Sequence, residues 1–210
     1  MISTENSGAL SSLAEWGLAA RAIAGETASG DAHVLVPFAD GFLAAVVDGL
    51  GHGPQAATAA SRAMALLRNH AGETVTELMH RCHEDLRHTR GAVLSLASFS
   101  TDRGVMTWLG VGNVEGVLFR VVPTDEGPRE SLLLRGGVVG YRLPPLREAI
   151  LPISVGDTLV LATDGISSRF CDRSPLGLHP QDYADEVMSR WGKDSDDALV
   201  LAVRYLGGRS

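Results

Sequence analysis

The segment FLAAVVDGLGHGP, residues Phe42–Pro54, decides both the fold and the chemistry of this sequence. The unbroken apolar run Phe42–Val47 is typical of a buried strand, and Asp48 follows it directly. The glycines of Asp48–Gly53 allow close approach of the backbone. Pro54 stands where a helix can begin without losing a useful N–H group. The segment therefore predicts a buried strand that ends in a carboxylate, then a glycine loop and a helix.

The order of the predicted elements along the chain indicates an α+β fold. Strands are predicted at Trp16–Ile23, His33–Phe38, Phe42–Val47, Ala92–Phe99, Val105–Val111, Val114–Val122, Leu132–Leu134, Thr158–Ala162 and Leu199–Arg204. Helices are predicted at Gln55–His70, after an N-cap at Thr74 with the apolar stripe Val75, Leu78, Met79, Cys82 and Leu86, and at Gln181–Trp191. Gly25–Gly30 and Gly112–Asn113 are turn signals, the second predicting a tight hairpin. Because strands and helices do not alternate, we expect antiparallel sheets covered by helices and not a parallel α/β sheet.

Composition limits the class of protein. The 210 residues suit one domain, which we place at 15–210 after a flexible N-terminal segment, 1–14. The net charge of −7 argues against binding to nucleic acid or to an anionic membrane. No apolar run approaches the length of a membrane span, and the N-terminus has no features of a secretory signal. With two cysteines only, a reducing cytoplasm is the expected location.

Carboxylates stand next to predicted strands in four separate segments. Asp31 begins one strand, whereas Asp48 and Asp164 each follow a buried strand and precede a glycine. Asp196 and Asp197 stand just before the last strand. Ionised carboxylates at the edge of a core repel one another and lose hydration unless a cation compensates them. One interpretation of these positions is a shared acidic site that holds a cation.

Oxygen ligands favour Mg²⁺ or Mn²⁺ over Zn²⁺. Two such ions ~3.5–4 Å apart would hold a bridging water and neutralise a phosphate during in-line displacement. An isolated Asp-Gly pair is also an ordinary turn, which is the interpretation we give to Asp40–Gly41 and to Asp157. Spacing alone leaves open whether the other carboxylates converge.

Several stretches, taken in order, resemble a known family. They are Gly30–Asp31, VVDGLGHG at Val46–Gly53, ATDGI at Ala162–Ile166 and DDALVL at Asp196–Leu201. Together they resemble the PP2C-type metal-dependent serine/threonine phosphatases, and within these the bacterial SpoIIE-like branch. RCHEDLRHTRGA at Arg81–Ala92 and GVGNVEGVL at Gly110–Leu118, with the TDG segment, are similar to the RsbX-like phosphatases of the stressosome pathway. The resemblance implies a sandwich of two antiparallel β-sheets flanked by α-helices.

The resemblance also implies a metal site with two ions, Mn²⁺ or Mg²⁺. Asp48 would bridge the ions, and the Gly49 carbonyl would bind one of them. Asp164 and Asp196 would complete the coordination of the second ion, with Asp197 at the neighbouring position. The implied catalytic residues are Asp31, Asp48, Asp164 and Asp196, and Asp31 would hold metal-bound waters.

The implied reaction is hydrolysis of phosphoserine or phosphothreonine by a metal-activated water, without a phosphoenzyme. The implied substrates are phosphorylated STAS-domain regulatory proteins of a stressosome-like complex. No arginine near Asp31 matches the phosphate-binding arginine of eukaryotic relatives, so Arg90, Arg142 and Arg169 are candidates for that task. A catalytically silent phosphatase-like domain that binds a phosphoprotein or scaffold remains the alternative.

Other patterns predict different chemistry less well. His52 lies in the glycine loop, either as a general acid or as a residue that orders the loop by a hydrogen bond. His80, Cys82, His83 and His88 do not share one helix face, so we do not expect a zinc site. The glycines after Asp48 have G-x-G-x-G spacing, which differs from the dinucleotide-binding G-x-G-x-x-G motif.

Overall fold

Two β-sheets pack face to face, and helices cover both outer faces. The computed structural model describes residues 4–26, 28–125 and 127–208. The helices are α1 (Thr4–Ser11), α2 (Pro54–Asn69), α3 (Val75–Leu86) and α4 (Pro180–Trp191), with a short 3₁₀ helix at Ser168–Asp172. The strands are β1 (Ala14–Arg21), β2 (Asp31–Phe38), β3 (Gly41–Gly49), β4 (Ala92–Ser100), β5 (Val105–Val111), β6 (Glu115–Thr124), β7 (Gly127–Ser131), β8 (Leu134–Arg135), β9 (Ala149–Pro152), β10 (Thr158–Ala162) and β11 (Ala198–Tyr205).

The first sheet has the strand order β1-β11-β10-β6-β7, and the second has the order β2-β3-β4-β5-β8, with β9 also paired to β5. Strands β5 and β8 run parallel. The other strand pairs described are antiparallel. The α+β fold and the two-sheet sandwich predicted from the sequence are therefore confirmed.

Period-two alternation of side chains divides the core into layers. In β3, Phe42 and Val46 face the opposite sheet, whereas Leu43, Ala45 and Val47 face helices α2 and α3. This is why the run Phe42–Val47 is apolar throughout: both faces of the strand are covered. Helix α4 covers the outer face of the first sheet.

Local helix signals in the sequence match the structure. Thr74 caps α3 in a capping box with Glu77, and the predicted apolar stripe of α3 is buried. Pro54 begins α2. No helix in the described part of the chain combines the length and apolarity that a membrane crossing requires.

The predicted hairpin at Gly112–Asn113 is wrong. Strand β5 belongs to the second sheet and β6 to the first, so the chain crosses between the sheets at this point instead of pairing the strands. Gly112 has a φ of 106°, and a Cβ there would lie 2.2 Å from the Val93 side chain, so a glycine is needed for this crossing.

Two other predicted segments differ from the structure. Within the leading segment 1–14, where we expected a mobile chain, the structure has helix α1, and Leu10 is buried. The strand predicted at Leu132–Leu134 is displaced, because β7 ends at Ser131 and β8 begins at Leu134. The predicted turn Gly25–Gly30 includes Thr27, which lies outside the described residues.

Candidate active site

Asp31 and Asp48 lie directly opposite each other in the second sheet. They are register partners in the antiparallel pair of β2 and β3. Opposite residues in such a pair project to the same face, with Cβ atoms ~4.5–5.5 Å apart. Like charges at these positions are destabilising unless they are compensated. The sheet therefore brings two of the predicted site residues together.

Asp164 and Asp196 lie at one end of the first sheet. Strand β10 ends at Ala162, β11 begins at Ala198, and the strands are antiparallel. The residues that follow β10 and those that precede β11 must therefore lie at the same end of the sheet. Gly165 makes the approach possible, since a Cβ there would lie 1.9 Å from the Asp197 carbonyl oxygen.

Thr163 joins the two sheet ends. Its hydroxyl donates a hydrogen bond to Asp31 Oδ2 at 2.7 Å and accepts one from the Leu199 N–H at 2.9 Å. Thr163 is buried, with 2% of its surface exposed. The threonine of the first sheet therefore fixes the orientation of the Asp31 carboxylate in the second.

Asp197 is engaged differently from the other acidic residues. One carboxylate oxygen accepts the Ile23 N–H at 2.7 Å, and the other accepts the Gly30 N–H at 2.6 Å. The side chain is 3% exposed. These bonds hold the β1–β2 connection and give each carboxylate oxygen of Asp197, a predicted metal-site residue, a donor within the protein.

A cavity of about 460 Å³ opens where the sheet ends meet. Asp48, Asp164 and Asp196 line it together, although they come from distant parts of the sequence. The other lining residues are Ile23, Leu50, Gly51, His52, Val93, Gly112, Asn113, Gly136, Gly137, Val138 and Ser195. This lining contains no lysine or arginine to compensate the carboxylates.

Burial and mutual repulsion disfavour ionisation of the paired aspartates. Burial, together with smaller contributions from the negative charges of Asp31, Asp164, Asp196 and Asp197, raises the pKa of Asp48 to about 8. Burial likewise raises the pKa of Asp31 to about 7, with smaller contributions from the acidic neighbours, while the hydrogen bond from Thr163 opposes the rise. The acidic groups are thus close enough to interact.

The acidic side chains are not preassembled into a ligand sphere. In the described ranges, no three His, Cys, Asp or Glu side chains form a group that could hold a metal ion as they stand. The Gly49 carbonyl, the predicted backbone ligand, faces Gly30, and a Cβ at residue 30 would lie 3.1 Å from its oxygen. Asp48, Asp164 and Asp196 therefore stand around one cavity without forming a ready group of ligands.

His52 of the glycine loop makes a hydrogen bond with a residue of the β1–β2 connection. Its Nδ1 lies 2.9 Å from Glu26 Oε1. On α3, Cys82 is buried and His83 Nδ1 accepts the Gly140 N–H at 3.0 Å.

The candidate phosphate-binding arginines lie at different places. Arg90 lies beside the glycine loop, where its Nη1 is 2.8 Å from the position that a Cβ of residue 51 would take. Arg142 closes a turn with Val138, a residue of the cavity lining. Arg169 is an exposed residue of the 3₁₀ helix.

Sequence analysis did not identify three residues that position the acidic groups. Besides Thr163, Asn113 donates its amide N–H to Asp164 Oδ2 at 2.7 Å. Lys193 donates to the Asp164 carbonyl oxygen at 2.6 Å. Thr163 adjoins Asp164 in the TDG segment, which was a usable signal, whereas nothing in the sequence brings Asn113 or Lys193 close to it.

Comparison with known proteins identifies the family. The family model for stage II sporulation protein E (SpoIIE) matches residues 39–206. The phosphoserine phosphatase RsbX of Bacillus subtilis (strain 168) is 30% identical over 143 residues, which cover 68% of this chain and 70% of RsbX.

Solved structures share the fold. A structure from work on the bacterial stressosome as a modular system that controls secondary messenger signalling is 30% identical, with a TM-score of 0.82, and covers 91% of this chain and 99% of its own. RsbX in complex with magnesium has a TM-score of 0.82 at 20% identity, with 92% and 96% of the two chains covered. The PP2C phosphatase domain of SpoIIE from Bacillus subtilis has a TM-score of 0.77 at 22% identity, with 94% of this chain and 64% of that one covered. The chain belongs to the SpoIIE family of PP2C-type phosphatases.

Proposed function

We propose that this protein is a divalent-metal-dependent phosphatase that hydrolyses phosphoserine or phosphothreonine on a regulatory protein. The observation that carries the proposal is the cavity that Asp48, Asp164 and Asp196 line together. Asp48 and Asp164 are more than a hundred positions apart in the sequence, and Asp196 belongs to a third segment. A cavity that is lined by three carboxylates and by no lysine or arginine has no evident structural purpose.

The donor set fits Mg²⁺ or Mn²⁺. The side chains that line the cavity offer carboxylate oxygens, and His52 is already hydrogen-bonded to Glu26. Hard divalent cations prefer such oxygen ligands and would relieve the repulsion between the carboxylates. We propose Asp48, Asp164, Asp196 and the Gly49 carbonyl as ligands of two ions. When bound, the ions would lower the pKa of a water molecule and neutralise the phosphate charge.

The protein's own residues orient the participants. Thr163 holds one oxygen of Asp31 and leaves the other free to accept a hydrogen bond from the attacking water. Asn113 donates to one oxygen of Asp164, and the other oxygen would be available to an ion. Fixing these groups before the substrate arrives lowers the cost of reaching the transition state.

The substrate is proposed from the relatives. RsbX is a phosphoserine phosphatase, and a structure from work on the stressosome is similar over 91% of the chain. We therefore propose a phosphorylated STAS-domain protein of a stressosome-like complex as substrate. We propose the cytoplasm as the location, in agreement with the free thiols of Cys82 and Cys171.

Hydrolysis of p-nitrophenyl phosphate and of a phosphorylated STAS-domain protein tests the proposal, with Mn²⁺, with Mg²⁺ and with chelator. We expect turnover that depends on the metal and a loss of roughly a hundredfold or more in Asp48→Asn, which keeps the shape but removes a ligand charge. Wild-type protein without turnover in either metal would refute the function.

Asp40→Asn provides the matched control. Asp40 lies in the turn at the far end of the same β2–β3 hairpin and is exposed. Its variant should keep wild-type turnover, and an equal loss in both variants would show that the effect is not local to the cavity.

A catalytically silent phosphoprotein-binding domain is the second candidate. It is favoured by the finding that no three His, Cys, Asp or Glu side chains of the described residues stand ready to hold a metal. Isothermal titration calorimetry separates the two functions. Binding of a phosphoprotein without any binding of Mn²⁺ or Mg²⁺ would support the silent domain.

A further inference from the structure

A second cavity of about 480 Å³ adjoins the acidic one. Its lining consists of Arg135, Gly136, Pro144, Pro145, Leu146 and Arg147. Gly136 lines both cavities, so the second begins where the first ends. The charge changes sign across this glycine, because the lining of the second cavity contains two arginines and no carboxylate.

The backbone of Arg135 is fixed by the second sheet. Arg135 is the register partner of Val111 in the parallel pair of β5 and β8, and its carbonyl accepts the Gly112 N–H at 2.8 Å. The side-chain Nε of Arg135 is buried and has no hydrogen-bond partner. A buried donor without an acceptor costs free energy, and such groups are rare in folded proteins. The described residues therefore leave part of the hydrogen-bonding capacity of the Arg135 guanidinium unused.

Arginines elsewhere in the molecule are mostly paired. Arg62 binds Asp85, Arg173 binds Glu186 and Arg204 binds Glu15. Among the described residues, no carboxylate lies within ion-pair distance of Arg135 or Arg147. In a chain with net charge −7, two neighbouring arginines that have no acidic partner are available to an anionic ligand.

The remaining wall of the cavity is restricted in its conformation. Pro144 and Pro145 have fixed φ angles, and a Cβ at Gly137 would lie 2.7 Å from Pro144 Cδ. Leu146 packs against the core between the second sheet and its helices. The arginines therefore flank a wall whose shape changes little when a ligand arrives.

We propose that Arg135 and Arg147 form a subsite for an anionic group of the substrate, next to the phosphoryl group that is hydrolysed. The group is a carboxylate or a second phosphate on residues flanking the phosphoserine. Guanidinium groups bind both by paired N–H···O hydrogen bonds. The inference rests on the proposed function, since it deepens the specificity of the same site.

Peptide selectivity tests the subsite. The probes are phosphoserine peptides flanked by glutamates, by glutamines or by a second phosphoserine, with p-nitrophenyl phosphate as a substrate too small to reach both cavities. Wild-type protein should prefer the two anionic peptides. In Arg147→Gln and Arg135→Gln, kcat/KM for these peptides should fall about tenfold, through KM, while turnover of p-nitrophenyl phosphate changes less than about twofold.

Arg103→Gln is the matched control. Arg103 is exposed, has no ion pair among the described residues, and lies in the β4–β5 turn at the opposite end of the sheet from Asp48. An equal decrease in Arg103→Gln would overturn the subsite, because it would reflect only the overall charge of the protein.

Charge reversal addresses the case in which Arg135→Gln does not fold. Arg147 is exposed, so Arg147→Glu should fold, and it should prefer a lysine-flanked peptide over the glutamate-flanked one. Unchanged preference in Arg147→Glu would overturn the proposal. If the wild-type protein prefers only the phosphoserine-flanked peptide, the subsite is specific for phosphate. If it prefers both anionic peptides, the subsite accepts carboxylate as well as phosphate.

Binding distinguishes failure of the subsite from failure of the proposed function. Fluorescence polarisation of the labelled peptides measures the subsite even if the protein does not turn over p-nitrophenyl phosphate. Weaker binding of the glutamate peptide in Arg147→Gln would support the subsite without catalysis. Turnover of p-nitrophenyl phosphate with equal affinity for the acidic and neutral peptides would overturn the subsite and leave the phosphatase intact.

Discussion

The two ends of strand β10 carry aspartates in opposite situations. Asp157 precedes the strand and is buried, and its carboxylate accepts hydrogen bonds from Arg120 at 3.0 Å, from the Val121 N–H and from the Ser154 N–H. Arg120 also donates to Glu130 at 2.7 Å. Asp164 follows the strand and faces a cavity without basic side chains in its lining.

The difference separates a structural carboxylate from a functional one. At Asp157 every donor comes from the protein, so the negative charge is compensated when the chain folds. At Asp164, which is exposed, the carboxylate accepts a hydrogen bond from Asn113, and the proposed function leaves its other oxygen to an ion. Asp157 is thus more than the turn residue that the sequence suggested.

The largest effect on stability is expected from Asp157→Asn. The substitution leaves Arg120, which is 5% exposed, with less compensation and replaces an acceptor by an N–H group that faces other donors. We expect the free energy of unfolding to fall by about 3 kcal/mol, measured by urea denaturation. Folded Asp157→Asn protein should retain its kcat.

Asp164→Asn makes the opposite change at the other end of β10. It should lose activity while unfolding at the same urea concentration as the wild type, since it reduces repulsion instead of breaking a pair. If Asp164→Asn destabilised the protein as much as Asp157→Asn, the distinction between the two ends would be lost.

A smaller effect on the free energy of unfolding is expected for the adjacent residues Asp196 and Asp197. Asp197→Asn should lower the free energy of unfolding by about 2 kcal/mol, because one of the two N–H groups from Ile23 and Gly30 loses its charged acceptor. Asp196→Asn should change it by less than about 0.5 kcal/mol. Mn²⁺ should raise the melting temperature of Asp197→Asn but not that of Asp196→Asn, and the reverse result would exchange the two roles.

The smallest change in free energy is expected at Thr163, and it concerns the binding of Mn²⁺. Thr163 contacts Asp31 across the two sheets. Thr163→Val removes the hydroxyl that donates to Asp31 and accepts the Leu199 N–H, and it should weaken Mn²⁺ binding about tenfold by calorimetry. Thr163→Ser keeps the hydroxyl and should restore the affinity. Equal affinities in the valine and serine variants would show that Thr163 only fills space.

The sequence predicted local structure well where one signal determines it. The apolar run before Asp48 was typical of a buried strand, and the capping box at Thr74 predicted the start of α3. The β5–β6 connection was predicted wrongly because a glycine turn specifies that the chain changes direction but not which sheet the next strand joins. That choice depends on packing between the sheets, which has no periodic signature.

The same limit applies to the candidate site. The family motifs led to Asp48, Asp164 and Asp196, and these do line one cavity. Asp196 and Asp197 are adjacent and have nearly the same sequence context. Asp197 alone accepts the N–H groups of Ile23 and Gly30, because the backbone of the β1–β2 connection passes beside it. Long-range partners of this kind cannot be read from spacing along the chain.

The bond between Lys193 and the Asp164 carbonyl has a practical consequence. Lys193 is the one lysine in the sequence, and its side chain is exposed. Once the terminal amine has been acylated selectively near neutral pH, where it is less protonated than a lysine, an amine-reactive fluorophore would label a single side chain, next to the acidic cavity. The emission of that dye would report the arrival of an ion or a phosphopeptide in real time, without any engineered cysteine.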